Sequence, residues 1–102
     1  QNNLILEQES VMEESTSDLR NDYKILNKAW SLHYLQKHKE AIDEVKILLN
    51  DQSEIIDKVY QLIGNCYYSL KEYSDAIKYY DKAIEIDPNN SGAYNNKGNS
   101  LK

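Results

Sequence analysis

A chain of 102 residues holds one domain or part of one, at roughly 100 to 200 residues per domain, so its core is modest. A net charge of −5 leaves no basic surplus to neutralise phosphates, which argues against a nucleic-acid partner. Its single cysteine, Cys66, excludes an intrachain disulfide and a thiolate metal cluster, and the chain has no run of about 18 apolar residues that would span a membrane.

Charge is unevenly placed. Residues 1–22 carry Glu7, Glu9, Glu13, Glu14, Asp18 and Asp22 against Arg20 alone, and the remaining acids and lysines cancel. Phe is absent, while nine Tyr and one Trp are present, so the packing relies on rings with a polar tip that seek a hydrogen-bond partner when buried. Three Gly and one Pro are too few for an all-β chain and suit helices joined by short connections. No secretory signal is evident, and the expected setting is intracellular, in the cytoplasm. Gln1 in the place of an initiator Met, and a helical pattern running to Lys102, read as a piece of a longer protein.

In chain order, residues 1–21 form an acidic leader. Leu4-Ile5-Leu6 and Val11-Met12 are its apolar patches, and low hydrophobicity with high charge favours a solvated linker. The alternative is a helix docked on the helices downstream. From Asp18 the apolar residues become dense: Leu19, Tyr23, Ile25, Leu26, Ala29, Trp30, Leu32, Tyr34 and Leu35 fall on both faces, as in a helix sandwiched between neighbours. Gln36 to Lys39 makes a polar turn. Ala41, Ile42, Val45, Leu48 and Leu49 then recur at helical spacing, predicting a second helix that ends near Asn50-Asp51. Two more helices are predicted over residues 54–70 and 73–86, with Asp51 or Ser53 as caps for the first and Asp87-Pro88-Asn89-Asn90 as the stop for the second. Ser91 is placed to cap a last helix through Lys102.

These helices repeat. Shifted by 35 residues, Ala29 falls on Gly64, Leu32 on Tyr67, Glu40-Ala41-Ile42 on Asp75-Ala76-Ile77, Val45 on Tyr80 and Leu48 on Ala83. At a shift of 34, Ala93, Tyr94, Gly98 and Leu101 reproduce Val59, Tyr60, Gly64 and Tyr67. Short side chains at Ala29, Ala41, Gly64 and Ala76 allow the two helices of a pair to approach to about 8 Å.

Tyr60, Ile63-Gly64, Tyr67, Ala76, Tyr80, Ala83 and Pro88 resemble, in kind and interval, the tetratricopeptide repeat, a unit of about 34 residues. The resemblance implies an all-α, right-handed α-solenoid of antiparallel helix pairs. It divides the chain into a divergent repeat over 22–56, a regular one over 57–90 and the first helix of another over 91–102. The first departs from the pattern where Ser53 replaces Pro and Leu48 replaces a small Ala, so a less regular second turn is expected there.

The resemblance also implies a non-catalytic interaction module that binds a protein or peptide along a groove lined by first helices. The matching positions are Tyr23, Leu26, Asn27, Trp30, His33 and Tyr34 in the first unit. In the second they are Lys58, Gln61, Leu62, Asn65, Tyr68 and Ser69, and in the third Gly92, Asn95, Asn96, Asn99 and Lys102. Asn65 and Asn96 coincide with two amide positions of the clamp by which some family members hold the acidic carboxyl-terminal tail of heat-shock chaperones. Gln61 stands where that clamp has its first lysine. Two other readings are an architectural subunit buried in an assembly and a targeting domain of a longer enzyme. Trp30 is read either as a groove anchor or as a residue covered by Leu4 to Met12.

No phosphate-cradling glycine loop, nucleophile elbow or His-Glu-x-x-His motif is present, so no enzyme, cofactor or metal is expected. His33 and His38 flank a turn with no Cys or Asp nearby in sequence to complete a metal set. Cys66 is read as a buried small residue.

Overall fold

The computed structural model describes residues 19–49 and 53–102. The expected capping by Leu4 to Met12, the cap at Asp51 and the end of the second helix at Asn50-Asp51 lie outside these residues. Among the described residues every regular element is helical. They are α1 over 19–34, α2 over His38–Val45 continued by a 3-10 turn over Lys46–Leu49, α3 over Ile56–Ser69, α4 over Tyr73–Ile86 and α5 over Ser91–Leu101. α2 packs on α3, α3 on α4 and α4 on α5, while α5 returns to touch α3. This zigzag, with first helices side by side, is an all-α repeat solenoid.

Each helix follows from its apolar spacing. On α3, Val59, Leu62, Ile63 and Cys66 recur at helical intervals and all are buried. They join Leu26 and Ala29 of α1, Ala41, Ile42, Val45 and Leu48 of the second helix, and Ile55 in one core. A smaller cluster of Ala76, Tyr80, Ala83 and Ala93 holds α4 to α5, and Tyr67 packs against both clusters. Glu40, Asp57 and Asp75 lie in the first turns of their helices, where a carboxylate is favoured by the helix dipole.

The turns repeat as faithfully as the helices. After α1, Lys37 N–H donates to Leu32 O at 2.8 Å and Gln36 N–H to His33 O at 3.0 Å. After α3, Glu72 N–H donates to Tyr67 O and Lys71 N–H to Tyr68 O, both at 2.9 Å. Both are Schellman closures, in which the residue just past the helix adopts a left-handed conformation. Gln36 has φ 67° and Lys71 φ 64°, so two side-chain-bearing residues occupy a position that favours glycine.

Several boundaries differ from expectation, α3 for instance running over Ile56–Ser69 within the 54–70 expected. α2 starts at His38, earlier than the Gln36 to Lys39 turn allowed, because the Schellman closure completes the reversal by Lys37. The α-helical part of the second helix stops at Val45 and tightens into the 3-10 turn, at the place where the buried Leu48 needs more room than the Ala83 it replaces. Asn90, not Ser91, caps α5, its side chain accepting from Ala93 N–H at 3.0 Å. Ser53 acts before α3 in a different way. Its hydroxyl accepts from Ile55 N–H at 3.3 Å and donates to Asp22 of α1 at 2.6 Å, tying the loop to the preceding first helix.

Two glycines on equivalent positions have opposite surroundings. A Cβ on Gly64 would lie 2.5 Å from the Tyr80 ring, whereas one on Gly98 would meet nothing within 4 Å. Overpacking costs about 1 to 3 kcal/mol, against a helix-propensity gain of roughly 1 kcal/mol for Gly to Ala. In thermal melts, Gly64→Ala should therefore lower the midpoint and Gly98→Ala raise it. Lys71→Gly should also raise it, by about 0.5 to 1 kcal/mol of stability. The left-handed conformation costs a non-glycine residue roughly 1 to 2 kcal/mol, and the greater freedom of glycine in the unfolded chain offsets part of that.

Candidate peptide-binding face

The candidate face is carried by α1, α3 and α5, whose sides meet through specific contacts. α3 and α5 are joined where Asn96 Nδ2 donates to Asn65 Oδ1 at 2.9 Å and Asn90 Nδ2 donates to Gln61 Oε1 at 3.0 Å. The Gln61 amide lies over Gly92, 2.8 Å from where a Cβ would be. A side chain there would break the contact.

Asn65 is held most firmly. Its Oδ1 also accepts from the Tyr80 hydroxyl at 2.6 Å, so both lone pairs of that oxygen are used. The half-buried amide is thereby oriented, and among the described side-chain hydrogen bonds none uses its Nδ2. Burial raises the Tyr80 phenol above its ordinary range, so the hydroxyl stays protonated and remains a donor to Asn65. Tyr80 belongs to α4 and was not among the residues that sequence suggested for this face. Its signal lay in its being a large residue on a small-residue helix pair.

Of the other residues expected on α3 and α5, Lys58, Tyr68, Ser69, Asn95, Asn99 and Lys102 are exposed. Asn96 is partly covered by its bond to Asn65, and Gln61 by its bond to Asn90. Leu62 is 0% exposed. It is therefore part of the core beneath the face and offers no surface to a ligand.

The α1 section is aromatic. Trp30 stacks on Tyr34 with centroids 5.9 Å apart and meets His33 edge-on at 5.8 Å, while Trp30 also packs against the core. Tyr23, Asn27 and Tyr34 are exposed, and Trp30 and His33 are half-buried. Leu26, at 3% exposure, is a core residue like Leu62. Both were expected on the face, but their neighbours one helical step away carry it, because the helices are covered on more than one side.

The packing of α1 on α3 brings Cys66, distant in sequence, beside His33 and His38. His38 is buried, and its Nδ1 lies 2.9 Å from His33 Nδ1. Cys66 Sγ lies 3.7 Å from that same His33 nitrogen. Nε2 of His38 is 3.2 Å from Gln36 Oε1. Burial, and then the neighbouring His38, hold the His33 imidazole below its ordinary range. Burial pushes the Cys66 thiol up to about 12, which makes it a poor nucleophile. A separate cleft of about 270 Å³ is lined by Lys39, Ile42, Asp43, Lys46, Tyr67, Leu70 and Glu72, none of which was among the residues expected on the binding face.

Stacked antiparallel helix pairs with an oriented amide and a polar face define a helical-repeat interaction scaffold. The comparisons agree with this. A tetratricopeptide repeat model matches residues 58–90, and a second model of the same description matches 79–102. Residues 58–102 are thus matched as tetratricopeptide repeats. The chain is 34% identical over 61 residues to DnaJ homolog subfamily C member 7 of Mus musculus, covering 60% of this chain and 12% of that protein. It is 32% identical over 68 residues to small glutamine-rich tetratricopeptide repeat-containing protein 2 of Mycosarcoma maydis, covering 63% and 18%. Against stress-induced-phosphoprotein 1 of Caenorhabditis elegans it is 51% identical over 35 residues, covering 34% and 11%. The chain thus spans less than a fifth of the length of these relatives. Tetratricopeptide repeats are protein–protein interaction modules, and no helix among the described residues is long and apolar enough to cross a membrane.

Removing the Tyr80 hydroxyl tests the amide network. Tyr80→Phe should cost about 1 kcal/mol of stability in denaturant melts, the net worth of one hydrogen bond. Asn65→Ala should cost more, about 1 to 3 kcal/mol, because it leaves the buried Tyr80 hydroxyl without an acceptor.

Proposed function

We propose that the chain is a non-catalytic module that binds an extended acidic peptide ending in a free carboxylate along the face of α1, α3 and α5. The carrying observation is the orientation of Asn65. With its oxygen committed to Tyr80 and Asn96, its Nδ2 is left as a pre-positioned donor for a peptide carbonyl or carboxylate. Ordering such a group before the ligand arrives reduces the entropy lost on binding.

Charge and composition support the acidic class. The residues proposed for the face include Lys58 and Lys102 and no acid, and exposed Asn95 and Asn99 can donate to and accept from a peptide backbone whatever its side chains. Aromatic Tyr23, Trp30 and Tyr34, with Asn27 and His33 beside them, offer apolar contact at the other end. Chaperone tails are one peptide of this chemistry, favoured by the match of Asn65 and Asn96 to the clamp amides. Gln61 does not supply the clamp's lysine charge, and Lys58, one turn earlier on α3, is the cation nearest that place in sequence.

A second reading, burial in a permanent assembly, is favoured by Tyr34 and Leu35, which are 72% and 66% exposed. Fluorescence anisotropy with labelled acidic peptides separates the two. On the groove reading, a peptide with a free carboxyl terminus binds, and amidating that terminus weakens it. The exposed double change Lys58→Ala, Asn99→Ala should reduce affinity at least tenfold with an unchanged melting midpoint. Equal binding to that variant would rule the face out. No peptide binding, together with oligomers in light scattering, would favour the assembly.

A further inference from the structure

Three groups that can ligate a metal converge where α1, α2 and α3 meet. His33 lies at the end of α1, His38 opens α2 and Cys66 lies on α3. One ligand atom from each falls within 4.8 Å of the other two. We propose that His33, His38 and Cys66 form a binding site for a zinc ion that staples the first helix pair to the second.

The spacing is close to what the ion requires. Zn–N bonds of about 2.05 Å and Zn–S bonds of about 2.3 Å at tetrahedral angles place two imidazole nitrogens about 3.3 Å apart, and a nitrogen and a thiolate about 3.6 Å apart. The separations here are 2.9 Å between the two Nδ1 atoms and 3.7 Å between His33 Nδ1 and Cys66 Sγ, and the third pair, His38 with Cys66, lies within 4.8 Å. Small rotations about the side-chain bonds make up the difference. The donor set of two imidazoles and one thiol is also the set that borderline-soft zinc prefers over magnesium or calcium, which take oxygen.

Tautomers favour the same atoms. Nε2–H of His38 donates to Gln36 Oε1 at 3.2 Å, which leaves His38 Nδ1 with its lone pair directed at His33. Such an outer hydrogen bond fixes the ring of a metal-bound histidine. Without metal, the 2.9 Å contact between the two Nδ1 atoms is bridged by the proton of His33 Nδ1. With metal, that proton moves to His33 Nε2, and the Cys66 thiol gives up its proton to the buffer as the Zn–S bond forms. One proton is released per ion, and nothing is oxidised or reduced. The fourth position goes to water on the side of the half-buried His33.

The closure also explains where the two histidines sit. The left-handed Gln36 turn brings His38 back against His33 only five residues away, and the same residue supplies the oxygen that orients His38. A hydrogen-bonded cluster with no affinity for metal is the competing account, and titration decides between them.

The test is titration of the purified 102-residue chain with zinc chloride against a chromogenic chelator, repeated for Cys66→Ala and His33→Gln, with circular dichroism to check folding. The expected result is one equivalent bound with a submicromolar Kd, weakened at least tenfold in each variant, and a melting midpoint raised by saturating zinc in the unaltered chain only. Cobalt chloride gives a readout that needs no variant. Bound cobalt should show a thiolate charge-transfer band and quench Trp30, the only Trp, whose ring centroid is 5.8 Å from that of His33. No zinc uptake at micromolar concentrations, equal uptake by both variants, or a cobalt complex lacking the thiolate band would each overturn the site.

Discussion

The close crossing of α3 and α4 at Gly64 is the contact on which the other features of this structure depend. The Tyr80 ring occupies the space a Cβ would take at Gly64, and the ring is buried with only its hydroxyl seeking a partner. Because the ring is fixed there by packing, its hydroxyl reaches Asn65 on the next residue of α3. Asn65 in turn receives Asn96 from α5. A steric fit between two helices is thereby converted into the orientation of an amide on the candidate binding face. Packing and the candidate face share one side chain.

The two repeats distribute their polarity differently for a related reason. In the regular repeat, small Ala76 and Ala83 let α4 lie flat on α3, and the polar tips of Tyr80 and the amides organise the face. In the divergent repeat, Leu48 fills the corresponding place, the second helix tightens into a 3-10 turn, and the junction with α3 is filled by Leu26, Val45, Ile55 and Cys66. There the face is aromatic, with Trp30, His33 and Tyr34 in mutual contact. Ion pairs add little by comparison. Lys28–Glu44 at 3.4 Å and Lys97–Asp81 at 2.7 Å join neighbouring helices but stay partly exposed, where such pairs are worth about 0 to 1 kcal/mol.

Both helix reversals are closed by the same hydrogen bonds, although Gln36 and Lys71 share neither size nor charge. What they share is position: each follows a completed first helix whose last carbonyls need donors, and the left-handed residue supplies them at a steric cost. The same turn geometry is thus made by backbone bonding with different side chains at the two places. At Gln36 the residue that closes the turn also contacts His38. Local backbone geometry therefore sets the spacing of the two histidines, and helix packing brings Cys66 to them.

Sequence alone determined the helices, their pairing and the repeat. Helical periodicity and the small residues at Ala29, Ala41, Gly64 and Ala76 are local properties, and the shift of 34 or 35 residues is visible without coordinates. It did not determine which side chains about one repeat apart in the chain touch. The contacts observed are Asp22 with Ser53, Asn65 with Asn96, His33 with Cys66 and Gln61 with Asn90, separated by 31, 31, 33 and 29 residues. Each is shorter than the repeat, because helical side chains lean toward the amino terminus and neighbouring helices are staggered. Matching equivalent positions therefore paired His33 with Tyr68 and missed Cys66. The same staggering and two-sided cover placed Leu26 and Leu62 in the core. The repeat unit was written in the sequence, but which side chains meet between units was decided only by how the helices pack, since that depends on crossing and stagger rather than on period.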